Sequence, residues 1–135
     1  MIKKLIHVGV AVKNLEDSVS LFSKLFRLER IESEAVESQM VRLAFFTVGD
    51  SSIELTEATD PRSPIASFIA KRGEGIHHLS FEVEDLEGEL ARLKKEGFTL
   101  IDDKPREGAG GHLIAFIHPK STNGVLIELS QRVHR

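Results

Sequence analysis

The chain has 135 residues, 41% of them hydrophobic and 29% charged, a formal net charge of −3 and no cysteine. That length suits one ordinary core, so a single domain over residues 1–135 is expected, while the lack of any basic block beyond pairs such as Lys94-Lys95 excludes the electrostatic footprint of a nucleic-acid binder. No disulfide framework, thiolate metal site or Cys nucleophile is available, and neither a membrane span of roughly 20 apolar residues nor a secretory signal is recognisable, so a cytoplasmic protein handling small molecules is expected.

In chain order, the first strand signal is His7-Val8-Gly9-Val10-Ala11-Val12. Asn14 follows as a helix N-cap, and Leu15, Val19, Phe22 and Phe26 recur at helical spacing as one apolar stripe. Strand-like runs come near residues 29–34, 40–48 and 52–56. Ser63 as N-cap, Pro64 at the first helical position and Gly73 at the end frame a linking helix over about 63–73. The pattern then starts again. His78-Leu79-Ser80-Phe81-Glu82-Val83 reads as a strand, Asp85 as an N-cap, Leu86, Leu90 and Leu93 as a helical stripe, and Gly97 as its stop. Three further runs lie near 99–102, 113–118 and 124–129.

The resumption is an internal repeat. Residues 7–16 read HVGVAVKNLE and residues 78–87 read HLSFEVEDLE, so His7 matches His78 at an offset of 71. The same offset carries Leu43-Ala44-Phe45-Phe46 onto Ile114-Ala115-Phe116-Ile117. Ile53-Glu54-Leu55 meets Ile127-Glu128-Leu129 at an offset of 74, so three residues are inserted late in the second copy. The expected fold is therefore α+β: two tandem βαβββ modules, about 1–60 and 74–135, forming a curved mixed sheet around a metal-binding cup, with helices on the outer face.

Strand alternation identifies which side chains face that cup. Val8, Val10 and Val12 share one face, and His7, Gly9 and Ala11 the other; Leu79, Phe81 and Val83 oppose His78, Ser80 and Glu82 in the same way. Glu54 stands against Ile53 and Leu55, and Glu128 against Val125, Ile127 and Leu129. A single His or Glu in a strand is more often a surface or structural residue than a ligand. Two imidazoles and two carboxylates at repeat-equivalent positions on one face make a different case: His7, Glu54, His78 and Glu128 suit a divalent metal with nitrogen and oxygen donors. His77 has the opposite parity and no counterpart, His112 and His118 lack histidine partners across the repeat, and His134 is expected in a frayed tail, so none of these is a candidate ligand.

A doubled βαβββ module with paired His and Glu ligands resembles the vicinal oxygen chelate superfamily. The stretches from His7 to Val12, from Ser63 to His78, and His118-Pro119-Lys120-Ser121 leading to Gly124-Val125-Leu126-Ile127-Glu128-Leu129 are similar to its methylmalonyl-CoA epimerase family, nearly end to end. The resemblance implies His7, His78 and Glu128 as ligands, with Glu54 at the position that is Gln in some epimerases and Glu in others. It implies a divalent ion, Co2+ first, with Ni2+, Mn2+ or Zn2+ accepted by the same set. It also implies an acyl-CoA substrate, a homodimer, and epimerisation of methylmalonyl-CoA by α-proton abstraction and return through an enolate. Some epimerases carry a further carboxylate on the third strand, opposite the late glutamate, where Met40-Val41-Arg42-Leu43 has none; the expected acid/base is therefore Glu128, with Glu54 a ligand, the second base, or both. Lys104, Arg106, Lys120 and the backbone of residues 108–111 are placed to meet the phosphates of CoA. The alternatives are a glyoxalase I-like lyase acting on a glutathione hemithioacetal and a metal-free ligand-sequestering protein of the same fold.

Overall fold

The computed structural model describes residues 1–133; His134 lies outside them. Its secondary structure is α+β in the expected doubled order. Strand β1 (Ile2–Ala11) leads to helix α1 (Leu15–Phe26) and strands β2 (Glu32–Val36), β3 (Val41–Val48) and β4 (Ser51–Ala58). Helix α2 (Pro64–Arg72) follows. Strand β5 (Gly75–Val83), helix α3 (Leu86–Lys95) and strands β6 (Arg106–Glu107), β7 (Leu113–Ile117) and β8 (Ile127–Gln131) repeat the motif. The chain divides into two compact units, His7–His77 and a second made of Met1–Ile6 with the chain from His78 onward.

Within the first unit β1 runs parallel to β4, and β4 and β2 are both antiparallel to β3. Asn14 caps α1 by accepting from Asp17 N at 2.9 Å, which satisfies one of the free donors of the first turn. The helix lays its apolar stripe on the sheet, where Val12, Leu15, Ala44 and Leu55 are buried and Val10, Val19, Phe22, Ile31 and Ile53 pack around them. Phe26, the last residue of the predicted stripe, is 55% exposed, although its ring stays 5.9 Å from that of Phe46. Ser63 is fully buried and accepts from Ile65 N at 3.2 Å at the start of α2, as its cap position predicts.

In the second unit β5 runs parallel to β8, and β8 and β6 are antiparallel to β7. Asp85 caps α3 by accepting from Gly88 N at 3.1 Å. Val83, Leu86, Leu90, Leu93, Ala115, Ile117 and Leu129 form the core. The face predicted to be apolar is thus the one the helix covers in each unit.

The register carries the repeat into three dimensions. Gly9 pairs with Glu54 across β1 and β4, and Ser80, the repeat equivalent of Gly9, pairs with Glu128 across β5 and β8. Likewise Phe45 pairs with Glu54 and Phe116 with Glu128. The three inserted residues fall between β7 and β8, where a 3₁₀ turn at Pro119–Ser121 and Gly124 (φ 84°) replace the short β3–β4 turn at Gly49-Asp50.

Three boundaries differ from expectation. The run at 29–34 becomes a strand only from Glu32. Residues 99–102 form a single bridge, Leu100 to Ile117, and no regular strand, because the Asp102 carboxylate takes Phe116 N at 2.8 Å, a donor that a ladder would have used. The last strand starts at Ile127, not 124, since the backbone of Gly124 and Val125 bonds into the preceding turn, to Pro119 O at 2.8 Å and Thr122 O at 3.1 Å.

Candidate metal centre

Each unit brings one of the predicted imidazoles to one of the predicted carboxylates. In the first, His7 Nε2 on β1 lies 3.7 Å from Glu54 Oε2 on β4, with side chains 13% and 14% exposed. In the second, His78 Nε2 on β5 lies 4.0 Å from Glu128 Oε1 on β8, with side chains 6% and 7% exposed. Such burial of a carboxylate is costly unless a cation or donors compensate it. Both separations exceed a hydrogen bond and match two donors of one ion, since ligands held at about 2.1 Å from a metal lie about 3 to 4 Å apart. The donor chemistry of both pairs, imidazole nitrogen with carboxylate oxygen, fits a divalent ion of the first transition row or zinc.

The parallel pairing of each opening strand with the closing strand of its own module creates these pairs. His7 and Gly9 share a face of β1, and Glu54, the register partner of Gly9, projects to the same side. Around His78 the environment is more elaborate. The Phe116 ring meets the imidazole edge-on with centroids 5.7 Å apart, and the Arg106 guanidinium lies 5.5 Å over the same ring. Arg106 Nε is 3.1 Å from Asp102 Oδ1, whose other oxygen accepts from Phe116 N. An orienting stack thus runs from Asp102 through Arg106 and Phe116 to His78. Arg106 lies on β6 and not in a loop, and its aromatic and carboxylate contacts follow from strand pairing, which spacing alone does not reveal.

Glu82, on the same face of β5, is also buried, and Lys3 Nζ at 3.6 Å and an Arg132 nitrogen at 3.9 Å flank its carboxylate. Ser80, between His78 and Glu82, is fully buried and its hydroxyl has no hydrogen-bond partner; Thr56, two residues beyond Glu54, has a hydroxyl in the same condition. The remaining described histidines have other surroundings. His77 packs edge-on against Phe68 at 4.9 Å, and His118 Nδ1 accepts from Lys120 N at 3.0 Å at the 3₁₀ turn. In the glycine-rich stretch, Gly110 and Gly111 have left-handed φ values of 67° and 75°, while Gly108 N–H already donates to His112 O at 2.9 Å.

A cleft of about 500 Å³ in the first unit lies against α1, β2 and β3 and includes neither His7 nor Glu54. Arg42 on its wall is held by Glu57 Oε1 at 2.7 Å and Glu16 Oε1 at 2.9 Å, contacts that push the guanidinium further up. The Glu16 carboxyl is lowered, first by a backbone hydrogen bond and then by Arg42.

The chain belongs to the Glyoxalase/Bleomycin resistance protein/Dioxygenase superfamily, whose family model matches residues 6–116. It is 41% identical over 95% of its length to an uncharacterized protein of Bacillus subtilis, covering 91% of that protein. It is 36% identical over 97% of its length to the ethylmalonyl-CoA/methylmalonyl-CoA epimerase of Cereibacter sphaeroides, covering 99% of it. Among solved structures, a point variant of Streptomyces coelicolor methylmalonyl-CoA epimerase in complex with 2-nitronate-propionyl-CoA superposes with a TM-score of 0.91 at 32% identity, covering 98% of this chain and 96% of that one. Within the superfamily the chain is a methylmalonyl-CoA epimerase-like enzyme of the isomerase class. Among the described residues no helix is long and apolar enough to cross a membrane.

Proposed function

We propose that this protein interconverts the (2R) and (2S) forms of methylmalonyl-CoA, working as one domain in which His7, Glu54, His78 and Glu128 hold a single divalent ion. The observation that carries this reading is a pair of imidazole–carboxylate approaches at repeat-equivalent positions, 3.7 Å for the half-buried His7 and Glu54 and 4.0 Å for the buried His78 and Glu128, in a chain whose relatives include named acyl-CoA epimerases. When bound, the ion supplies Lewis-acid polarisation of the substrate's thioester and carboxylate oxygens, worth several kcal/mol. Glu128 accepts the proton of the carbon between those groups, leaving an enolate, and the second acid/base, for which Glu54 is the candidate, returns one to the opposite face. His7 and His78 hold the constellation in place, and the Phe116 ring against His78 keeps that imidazole from rotating. Co2+ is the expected ion, a homodimer the expected assembly and the cytoplasm the expected location.

Incubation with methylmalonyl-CoA in heavy water tests the reaction. Deuterium should enter at carbon 2 as the stereoisomers equilibrate, and full retention of the original hydrogen overturns the mechanism. Glu128→Gln should lower exchange at that carbon at least about 100-fold, the lower range for loss of a general base. Turnover of methylglyoxal with glutathione in place of methylmalonyl-CoA would instead assign the lyase chemistry.

A further inference from the structure

The Ser80 hydroxyl occupies an unusual position. The residue has no solvent exposure, its Oγ has no hydrogen-bond partner, and it shares a face of β5 with His78. Its register partner on β8 is Glu128. Neighbouring strands lie about 4.8 Å apart, so a change of side-chain torsion at Glu128 would bring a carboxylate oxygen to a serine hydroxyl directly opposite it, although no such bond is made in this structure. The repeat puts Gly9 in the equivalent place opposite Glu54, so only one module carries this hydroxyl.

A buried hydroxyl without a partner destabilises a fold, and alanine would fill the same space without that cost. The hydroxyl has a use when Glu128 is a ligand. A carboxylate that turns one oxygen to an ion leaves the other in need of a donor, and such outer contacts orient the ligand and strengthen binding. We infer that Ser80 is a positioning residue whose hydroxyl donates to the Glu128 oxygen turned away from the ion, fixing the orientation of that carboxylate. This rests on the proposed reading of His78 and Glu128 as ligands.

The test titrates metal-free native protein, Ser80→Ala and Glu128→Gln with Co2+, following heat and the visible absorption of the bound ion, beside thermal unfolding of each metal-free form. Ser80→Ala should unfold at the native temperature or above it without metal, bind Co2+ about 10- to 100-fold more weakly, and give an altered spectrum. An affinity within about twofold of native overturns the role, as does a lowered metal-free unfolding temperature, which would mark a hydroxyl already bonded in the free protein. If the native chain takes up no Co2+, or Glu128→Gln binds as tightly as the native chain, the ligand reading itself fails and the role of Ser80 goes with it.

Discussion

Gly108 is held so close to Ile114 that a methyl group has no room: an added Cβ would lie 2.8 Å from Ile114 Cγ2 and 3.0 Å from Cδ1. Its φ of −120° suits any residue, so the requirement for glycine is steric. Ile114 is 4% exposed and is the register partner of Arg106, which stacks on Phe116. Gly108→Ala should therefore destabilise the protein by about 1–3 kcal/mol, read from the urea midpoint, and weaken Co2+ binding by loosening the support of His78. At this scale the candidate ligands were legible because the repeat duplicates them: His7 and His78 share one offset, and Glu54 and Glu128 another. Ser80 and the Asp102–Arg106–Phe116 stack were not. Their significance depends on which residue stands opposite which, and strand register is set by long-range pairing that one sequence does not display.

Helices were legible from their ends. Asn14, Ser63 and Asp85 each accept a backbone N–H as their residue types require, and Gly73 closes α2 at φ 78°, ψ −170°, a region almost closed to residues with a Cβ. Gly73→Ala meets no atom within 4 Å, so its cost is conformational, about 1–3 kcal/mol, and should appear in thermal unfolding without altering the spectrum of bound Co2+. Strands whose backbone groups are taken by neighbouring side chains or turns were misplaced, as at 99–102 and 124–126, because such competition leaves the alternation intact while removing the ladder. Helix α3 also carries a pH signature. Arg92, first, and the N-terminal ammonium hold the Glu89 carboxyl below its usual range. A depressed pKa in the folded state means that the unfolded chain binds protons more readily. The stabilisation is therefore complete above the ordinary carboxylate pKa and disappears as pH falls through the lowered one. The native chain should exceed Glu89→Gln in urea midpoint near pH 7, and the difference should narrow steadily as the pH falls below the ordinary carboxylate range; an unchanged difference would show that charge is not its source.

Across the whole chain, the consequence of the repeat is that each unit supplies half of the proposed ligand set, His7 with Glu54 and His78 with Glu128. A single ion held by all four and two ions held by separate pairs would both use the same residues, but they differ in linkage. An ion that binds only the folded state stabilises it by about 2.7 kcal/mol at a free concentration 100 times its dissociation constant. If one ion takes all four ligands, the native chain should bind one Co2+, and His7→Ala or His78→Ala alone should remove most of the metal-dependent rise in the urea midpoint, because each variant weakens the same site. If the pairs bind independently, the native chain should take up two ions, and either variant should keep one of them with the share of stabilisation belonging to the untouched pair. Stoichiometry and midpoint measured on the same samples therefore separate the two arrangements, and two ions on the native chain with one retained at native affinity by either variant would rule out the single four-ligand centre.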